Sequence, residues 1–168
     1  GGGTYSYFRY QLQLASQNAL EVHEEAAAAF ERIFGRRYGL TEGYRLDDAD
    51  YVLVMSNSFA TKGRAAVDRQ RERGVRAGLL RLRVLRPFPA KAIAAALRQR
   101  QAVAVIDQNL SMGKGGVLYT ELASALYGRK WAPLLASYIA DPLDGATPAG
   151  VARTLGRLGL GELLSADS

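Results

Sequence analysis

The sequence predicts an α/β domain of three layers, with helices on both faces of a mainly parallel β-sheet. Two short runs, residues 51–55 (Tyr-Val-Leu-Val-Met) and 102–106 (Ala-Val-Ala-Val-Ile), are β-favouring and continuously apolar rather than alternating. Such runs belong to strands covered on both faces, as in parallel sheets flanked by helices. Between and around them lie segments whose apolar residues recur at helical spacing. At 168 residues, 48% of them hydrophobic, the chain is long enough for one domain with a sizeable core.

The elements follow in order. Residues 1–12 read as an aromatic arm carrying Tyr5, Tyr7, Phe8 and Tyr10. From 14 to 34, Ala15, Ala19, Val22, Ala26, Phe30, Ile33 and Phe34 fall at helical spacing, and charged residues such as Glu24, Glu25 and Arg32 take other positions. That pattern predicts a long amphipathic helix, with Gly35 and Gly39 as stop signals. A short strand is expected over 43–46, an Asp47-Asp48 turn next, and then the strand 51–55. A helix over 60–72 leads to a strand over 77–85. There Leu80, Leu82 and Val84 share one face, and Arg81 and Arg83 share the other with Leu79 and Leu85. Burying an unpaired guanidinium costs several kcal/mol, so both arginines are expected to meet carboxylates or reach solvent. Pro89 opens a helix running to about 98, because proline is pre-set for a first helical position. The strand 102–106, a glycine-rich loop, a helix over 117–127 and a strand over 134–139 complete the sheet. Thr147-Pro148 reads as the start of a last helix ending near 156–159, and 161–168 as a frayed tail. The expected organisation is therefore an arm and linker helix over 1–40, an α/β domain over 41–160, and a tail.

Composition narrows the chemistry. The chain has no cysteine, so it holds no disulfide, no thiolate zinc site and no cysteine-ligated iron–sulfur cluster of its own. Its one histidine, His23, lies on the long helix and reads as a surface residue; a histidine-based triad would have to run through it. Net charge is +6, with the basic residues densest from 62 to 86. Asp68 and Glu72 interrupt that run and no aromatics interleave with it, so it reads as a solvated surface rather than a nucleic-acid site. Apolar runs of about five residues fall far short of the roughly 20 that span a bilayer, and the first ten residues lack a signal-peptide core. A cytoplasmic protein is expected.

Ligands of open α/β sheets gather at the carboxyl ends of strands, and three loops lie there. Ser56-Asn57-Ser58, running on to Thr61, is hydroxyl-rich and enters a helix. It could take a phosphate on backbone amides, although Ala60 stands where a flavodoxin-type loop has glycine; helix capping by Ser58 or a neighbour is the simpler reading. Ser111-Met112-Gly113-Lys114-Gly115-Gly116 offers glycines and a cation, but no Ser or Thr follows the Gly-Lys pair as a Walker loop requires. A tight turn contacting another domain is the competing reading of Gly113, Lys114, Gly115 and Gly116. The third loop, 141–146, has Asp141 and Asp144, but an Asp-Gly turn explains it. A response regulator is excluded because Asp47, Asp48 and Asp50 precede the first buried strand. The residues alone thus point to no catalytic residue and no metal site.

The stretch Gly78-Leu-Leu-Arg-Leu-Arg-Val-Leu-Arg-Pro-Phe-Pro89 resembles the second domain of alpha subunits in the pyruvate and related 2-oxoacid:ferredoxin oxidoreductases. Ser6-Tyr-Phe-Arg-Tyr-Gln-Leu-Gln13, Phe34-Gly-Arg-Arg-Tyr-Gly39 and Tyr44-Arg-Leu-Asp-Asp-Ala49 are similar to that family's linker helix and entry strand. Residues 102–107 and 113–127, ending in Ser124-Ala-Leu-Tyr-Gly128, resemble its next strand, loop and helix. The chain departs from it at Ser56-Asn57, where Gly-Ser is usual, and at 142–146. The resemblance implies a transketolase C-terminal-like fold with five strands, the first antiparallel. It implies a non-catalytic structural domain of an enzyme that decarboxylates a 2-oxoacid such as pyruvate to an acyl-CoA. Thiamine diphosphate, magnesium, iron–sulfur clusters and CoA would belong to the whole enzyme, with none bound by this chain. Partners implied are the preceding alpha-subunit domain, the beta subunit, iron–sulfur subunits and ferredoxin; the arm aromatics would pack against the first two. A stand-alone flavodoxin-like module binding flavin or nucleotide, and an oligomerisation module, are the alternatives.

Overall fold

The computed structural model describes residues 2–109 and 111–139. Helix α1 spans Gly2–Phe34, β1 Thr41–Tyr44, β2 Tyr51–Ser56, α2 Phe59–Arg71, β3 Ala77–Leu82, α3 Ala90–Leu97, β4 Ala102–Asp107, α4 Val117–Leu126 and β5 Leu134–Ile139. The strands form one sheet in the order β1-β3-β2-β4-β5, parallel except for β1, which runs antiparallel to β3. The expected helix from Thr147 and the tail lie outside the described residues.

The continuous apolar runs are explained by two cores. On one face Leu53, Met55, Leu79, Ala104 and Ile106 pack under Phe59, Ala60, Ala66 and Val67 of α2. On the other, Val52, Val54, Leu80, Leu82, Val103 and Val105 pack under α3 and α4 through Ile93, Leu97, Leu118, Leu122 and Leu126. Adjacent strand residues point to opposite faces, so a strand between two helical layers needs apolar side chains at both parities. Each fully buried Leu or Val is worth about 1.5–3 kcal/mol over exposure. Gly78 has a packing reason: a Cβ there would meet the Arg45 carbonyl at 2.8 Å and Ala49 at 2.9 Å, closing the space in which the Asp47-Asp48 turn lies over β3.

Four boundaries differ from expectation. The strand expected over 77–85 ends at Leu82, where the Arg83 and Val84 amides both turn to the Leu40 carbonyl. Residues 2–12 are not a separate arm but the first turns of α1, which runs unbroken from Gly2. Tyr5 to Tyr10 continue the helical ladder. The first strand sits two residues earlier, at Thr41–Tyr44, because Arg45 takes a left-handed φ of 50° and turns the chain. Pro89 caps α3 rather than opening it, with φ −82° and ψ 59°, and its carbonyl accepts from the Ile93 amide at 3.1 Å.

The amphipathic face of α1 is also rotated from the expected one. Ala15, Ala19, Val22, Ala26, Ile33 and Phe34 face solvent, while Leu20, His23, Glu24 and Ala27 turn inward. Polar bonds position the helix. Glu24 Oε1 accepts from the Leu40 amide at 2.9 Å, Glu24 Oε2 pairs with Arg37, and His23 Nε2 bonds the Tyr38 carbonyl at 2.9 Å. Phe30 stacks edge-on with Tyr38, ring centres 5.5 Å apart. His23 is thus half-buried and engaged, not a free surface residue.

Candidate functional site at the sheet's carboxyl edge

Strands β2 and β4 are adjacent and parallel, pairing Tyr51–Val54 with Ala102–Val105. The loop after β2 leads to α2 on one face; the loop after β4 leads to α4 on the other. The chain therefore diverges between them, which is where α/β sheets open a ligand crevice. This topology brings two of the three sequence-predicted loops to the same edge; the third, 141–146, lies outside the described residues.

On the β2 side, Asn57 sits at a left-handed φ of 55°, a conformation that asparagine tolerates better than most residues. Ser58 occupies the N-cap position of α2 but makes no side-chain cap bond. Its carbonyl instead accepts from the Thr61 amide at 3.0 Å, so the expected Ser58 cap is absent. Ser56 is half-buried; Asn57 and Ser58 are exposed.

On the β4 side, the residue that organises the edge is Asp107. Its side chain is 3% exposed, and its two carboxylate oxygens accept from the Leu118 and Tyr119 amides, each at 3.0 Å. A carboxylate from the end of a strand thus fills the electropositive start of α4, where free amides and the helix dipole would attract an anion. Gly116 is required beside it, since a Cβ there would collide with the Asp107 carboxylate. The adjoining loop closes on itself. Ser111 and Gly115 exchange amide–carbonyl bonds at 2.9 and 3.0 Å, and the Lys114 amide also bonds the Ser111 carbonyl. Gly113 and Gly115 take φ of 76° and 84°, which explains these two glycines by turn geometry. Lys114 is exposed, and Met112 at the tip is 94% exposed. The amides of Lys114, Gly115, Leu118 and Tyr119 all have partners within the chain, so an anion here would have to displace Asp107. Sequence reading missed Asp107 because it ends an apolar strand; the available signal was a carboxylate closing a buried run nine residues before Gly116.

A second polar cluster lies at the same carboxyl end, beside the outer strand β1. Glu42 of β1 faces Arg81 across the antiparallel ladder. It pairs with Arg64, with Arg81 at 3.5 Å and with Arg83, whose guanidinium also stacks on Tyr38 with 4.9 Å to the ring centre. Arg81 in β3 and Arg83 just beyond its end therefore both meet a carboxylate, one of the two outcomes expected of them. Arg71 with Asp48, Arg76 with Asp50 and Arg86 with Glu121 extend the pattern. Much of the basic stretch is spent on internal ion pairs rather than displayed as a charged face. The Arg86 to Pro89 turn also borders an open groove of ≈ 1130 Å³ against α1, lined by Gln13, Gln17, Glu21 and Glu24. Among the described residues no group of three acidic or histidine side chains could hold a metal ion, and no helix is long and apolar enough to cross a membrane.

This architecture defines a helix-flanked parallel sheet whose ligand edge is filled by its own carboxylate. Residues 49–148 match the family described as pyruvate:ferredoxin oxidoreductase core domain II, and the chain belongs to that family. It is 40% identical over 126 residues to pyruvate synthase subunit PorA of Methanothermobacter thermautotrophicus, covering 75% of this chain and 33% of that protein. It is 34% identical over 136 residues to ketoisovalerate oxidoreductase subunit VorA of Pyrococcus abyssi, covering 80% and 34% respectively. The chain thus spans about a third of the length of these relatives. A solved 2-oxoglutarate:ferredoxin oxidoreductase from Magnetococcus marinus shares the fold, with a TM-score of 0.51 and 18% identity over 77% of this chain and 21% of that one.

Proposed function

We propose that this chain is the non-catalytic assembly domain of the alpha subunit of a thiamine-diphosphate-dependent 2-oxoacid:ferredoxin oxidoreductase. The whole enzyme would oxidatively decarboxylate a 2-oxoacid such as pyruvate to an acyl-CoA in the cytoplasm. The observation that carries the assembly role is Asp107. At the position where related topologies receive a ligand's phosphates, the start of α4 is already satisfied by a buried side chain. The crevice supplies rigidity instead of a diphosphate cradle. Thiamine diphosphate, magnesium, iron–sulfur clusters and CoA would then be held by the preceding alpha-subunit domain, the beta subunit and the iron–sulfur subunits, with ferredoxin taking the electrons. Ser56, Asn57, Ser58 and Gly113 to Gly116 would act as contact loops toward those neighbours, with Met112 the apolar tip.

Isothermal calorimetry with thiamine diphosphate and magnesium tests this on the 168-residue chain. No measurable heat of binding is expected, while mixing with the preceding alpha-subunit domain and the remaining subunits restores 2-oxoacid-dependent ferredoxin reduction. Micromolar binding by the chain alone would overturn the assembly role.

A further inference from the structure

We propose that α1 pairs, antiparallel, with the α1 of a second copy of this chain to form a short coiled coil. Tyr5, Phe8, Leu12, Ala15, Ala19, Val22, Ala26 and Ala29 follow one another at alternating spacings of three and four. That 3.5-residue period is the seam of a left-handed coiled coil and keeps one stripe facing one partner helix along its length. The stripe is bare. Tyr5 is 68%, Phe8 64%, Leu12 61% and Val22 53% exposed; Ala15, Ala19 and Ala26 are exposed, and Ala29 is half-buried. The side that docks on the core, with Leu20, His23, Glu24 and Ala27, lies about a quarter-turn away around the helix.

The order of side-chain sizes selects the occupant and its direction. In an antiparallel pair each first-type seam position faces a second-type one. Centred level with Gln17, that pairing places Tyr5 on Ala29 of the second copy, Phe8 on Ala26, Leu12 on Val22 and Ala15 on Ala19. The bulkiest side chains meet the smallest, so the layers pack at similar thickness, as close packing demands. A parallel pair would stack Tyr5 on Tyr5 and Phe8 on Phe8 and leave four alanine layers loose. Along the flanks the antiparallel pair sets Gln11 against Glu25, Thr4 against Arg32 and Asn18 against Asn18, with no two like charges opposed. Residues 3–12 of α1 are all exposed, so the two domains sit toward opposite ends of the paired helices. Tyr5 and Phe8 from both copies, at about 150–250 Å² each and some two-thirds exposed, supply roughly 500 Å². The other twelve seam side chains bring the total toward the roughly 1,200 Å² of a stable interface.

The chain has no cysteine, so introduced thiols report the geometry directly. Leu12→Cys and Val22→Cys chains, mixed and oxidised with a glutathione buffer, are expected to give the mixed 12–22 disulfide in preference to either homodisulfide. Sedimentation equilibrium of the unmodified chain is expected to show a dimer. Val22→Glu, which puts two carboxylates in the seam, should weaken it roughly tenfold or more, with the circular dichroism spectrum unchanged because Val22 is exposed. Homodisulfides in excess would overturn the antiparallel geometry. A monomer at the highest attainable concentration, or a dimer indifferent to Val22→Glu, would overturn self-pairing and leave the stripe to another part of the longer subunit.

Discussion

At the scale of single residues, a few buried polar groups decide the local geometry. Asp107, itself buried, holds two first-turn amides of α4. Asp107→Ala should cost about 1–3 kcal/mol, the penalty for leaving buried donors unpaired. Urea unfolding measures it, and Asp107→Asn should recover part of the loss because its carbonyl oxygen still accepts one bond. A variant as stable as the parent would mean that the α4 amides find other partners. Glu42 illustrates the same logic in a wetter place. Its carboxylate is shared by three guanidinium groups, yet all four side chains keep some exposure, so each pair contributes little alone.

At the scale of elements, α1 is the least anchored, since polar bonds rather than apolar burial set its angle to the sheet. The Leu40 amide, donating to Glu24, with Arg37 beside it, holds the Glu24 carboxyl below its ordinary value of 4.5. A carboxylate whose folded pKa is lowered contributes stability above its unfolded pKa and loses it as pH falls through the folded one. The docking of α1 should therefore be constant above about pH 4.5 and weaken below it, with the β-sheet core intact. Amide hydrogen exchange at Leu40 checks this: protection should fall with pH in that window beyond the intrinsic rate change, and Glu24→Gln should lack the transition. The long basic run shows why counting charges along a chain misleads. Arg64, Arg71, Arg76, Arg81, Arg83 and Arg86 look like an array in sequence, but three converge on Glu42 and the others pair separately with Asp48, Asp50 and Glu121.

At the scale of the whole molecule, the domain is a sealed α/β core carrying one exposed helix. Tyr7, Tyr10 and Leu14 lie on the side of α1 away from the heptad stripe, also exposed. Two distinct apolar sides on one free helix suit a position between neighbours, consistent with an assembly domain, since bare apolar surface of this kind marks interfaces. Tyr7→Ser combined with Tyr10→Ser should leave the thermal unfolding of the isolated chain nearly unchanged. The same pair should weaken capture by the remaining subunits roughly tenfold, the effect of losing buried aromatic anchors. Unfolding of the chain with assembly spared would show that these tyrosines belong to the core.

The sequence by itself determined the layers, the alternation of strands and helices, the glycine turns and the family, because these rest on local periodicity and short motifs. Residue-to-residue patterns carry parity: the apolar runs at 51–55 and 102–106 read as strands buried on both faces, and the arginines at 81 and 83 had to find acids or reach solvent. Which acid, and what fills the ligand edge, came from pairings between residues far apart in the chain. Glu42 reaches Arg81 across an antiparallel ladder and Arg83 just past its end, and Glu24 meets Leu40 only because α1 folds back on the following loop. The inward face of α1 was misjudged for the same reason. Apolar spacing marks every stripe that seeks a partner but cannot say which is satisfied within the domain. Here the polar bonds to Tyr38 and Leu40 turned one side inward and left the heptad stripe in solvent.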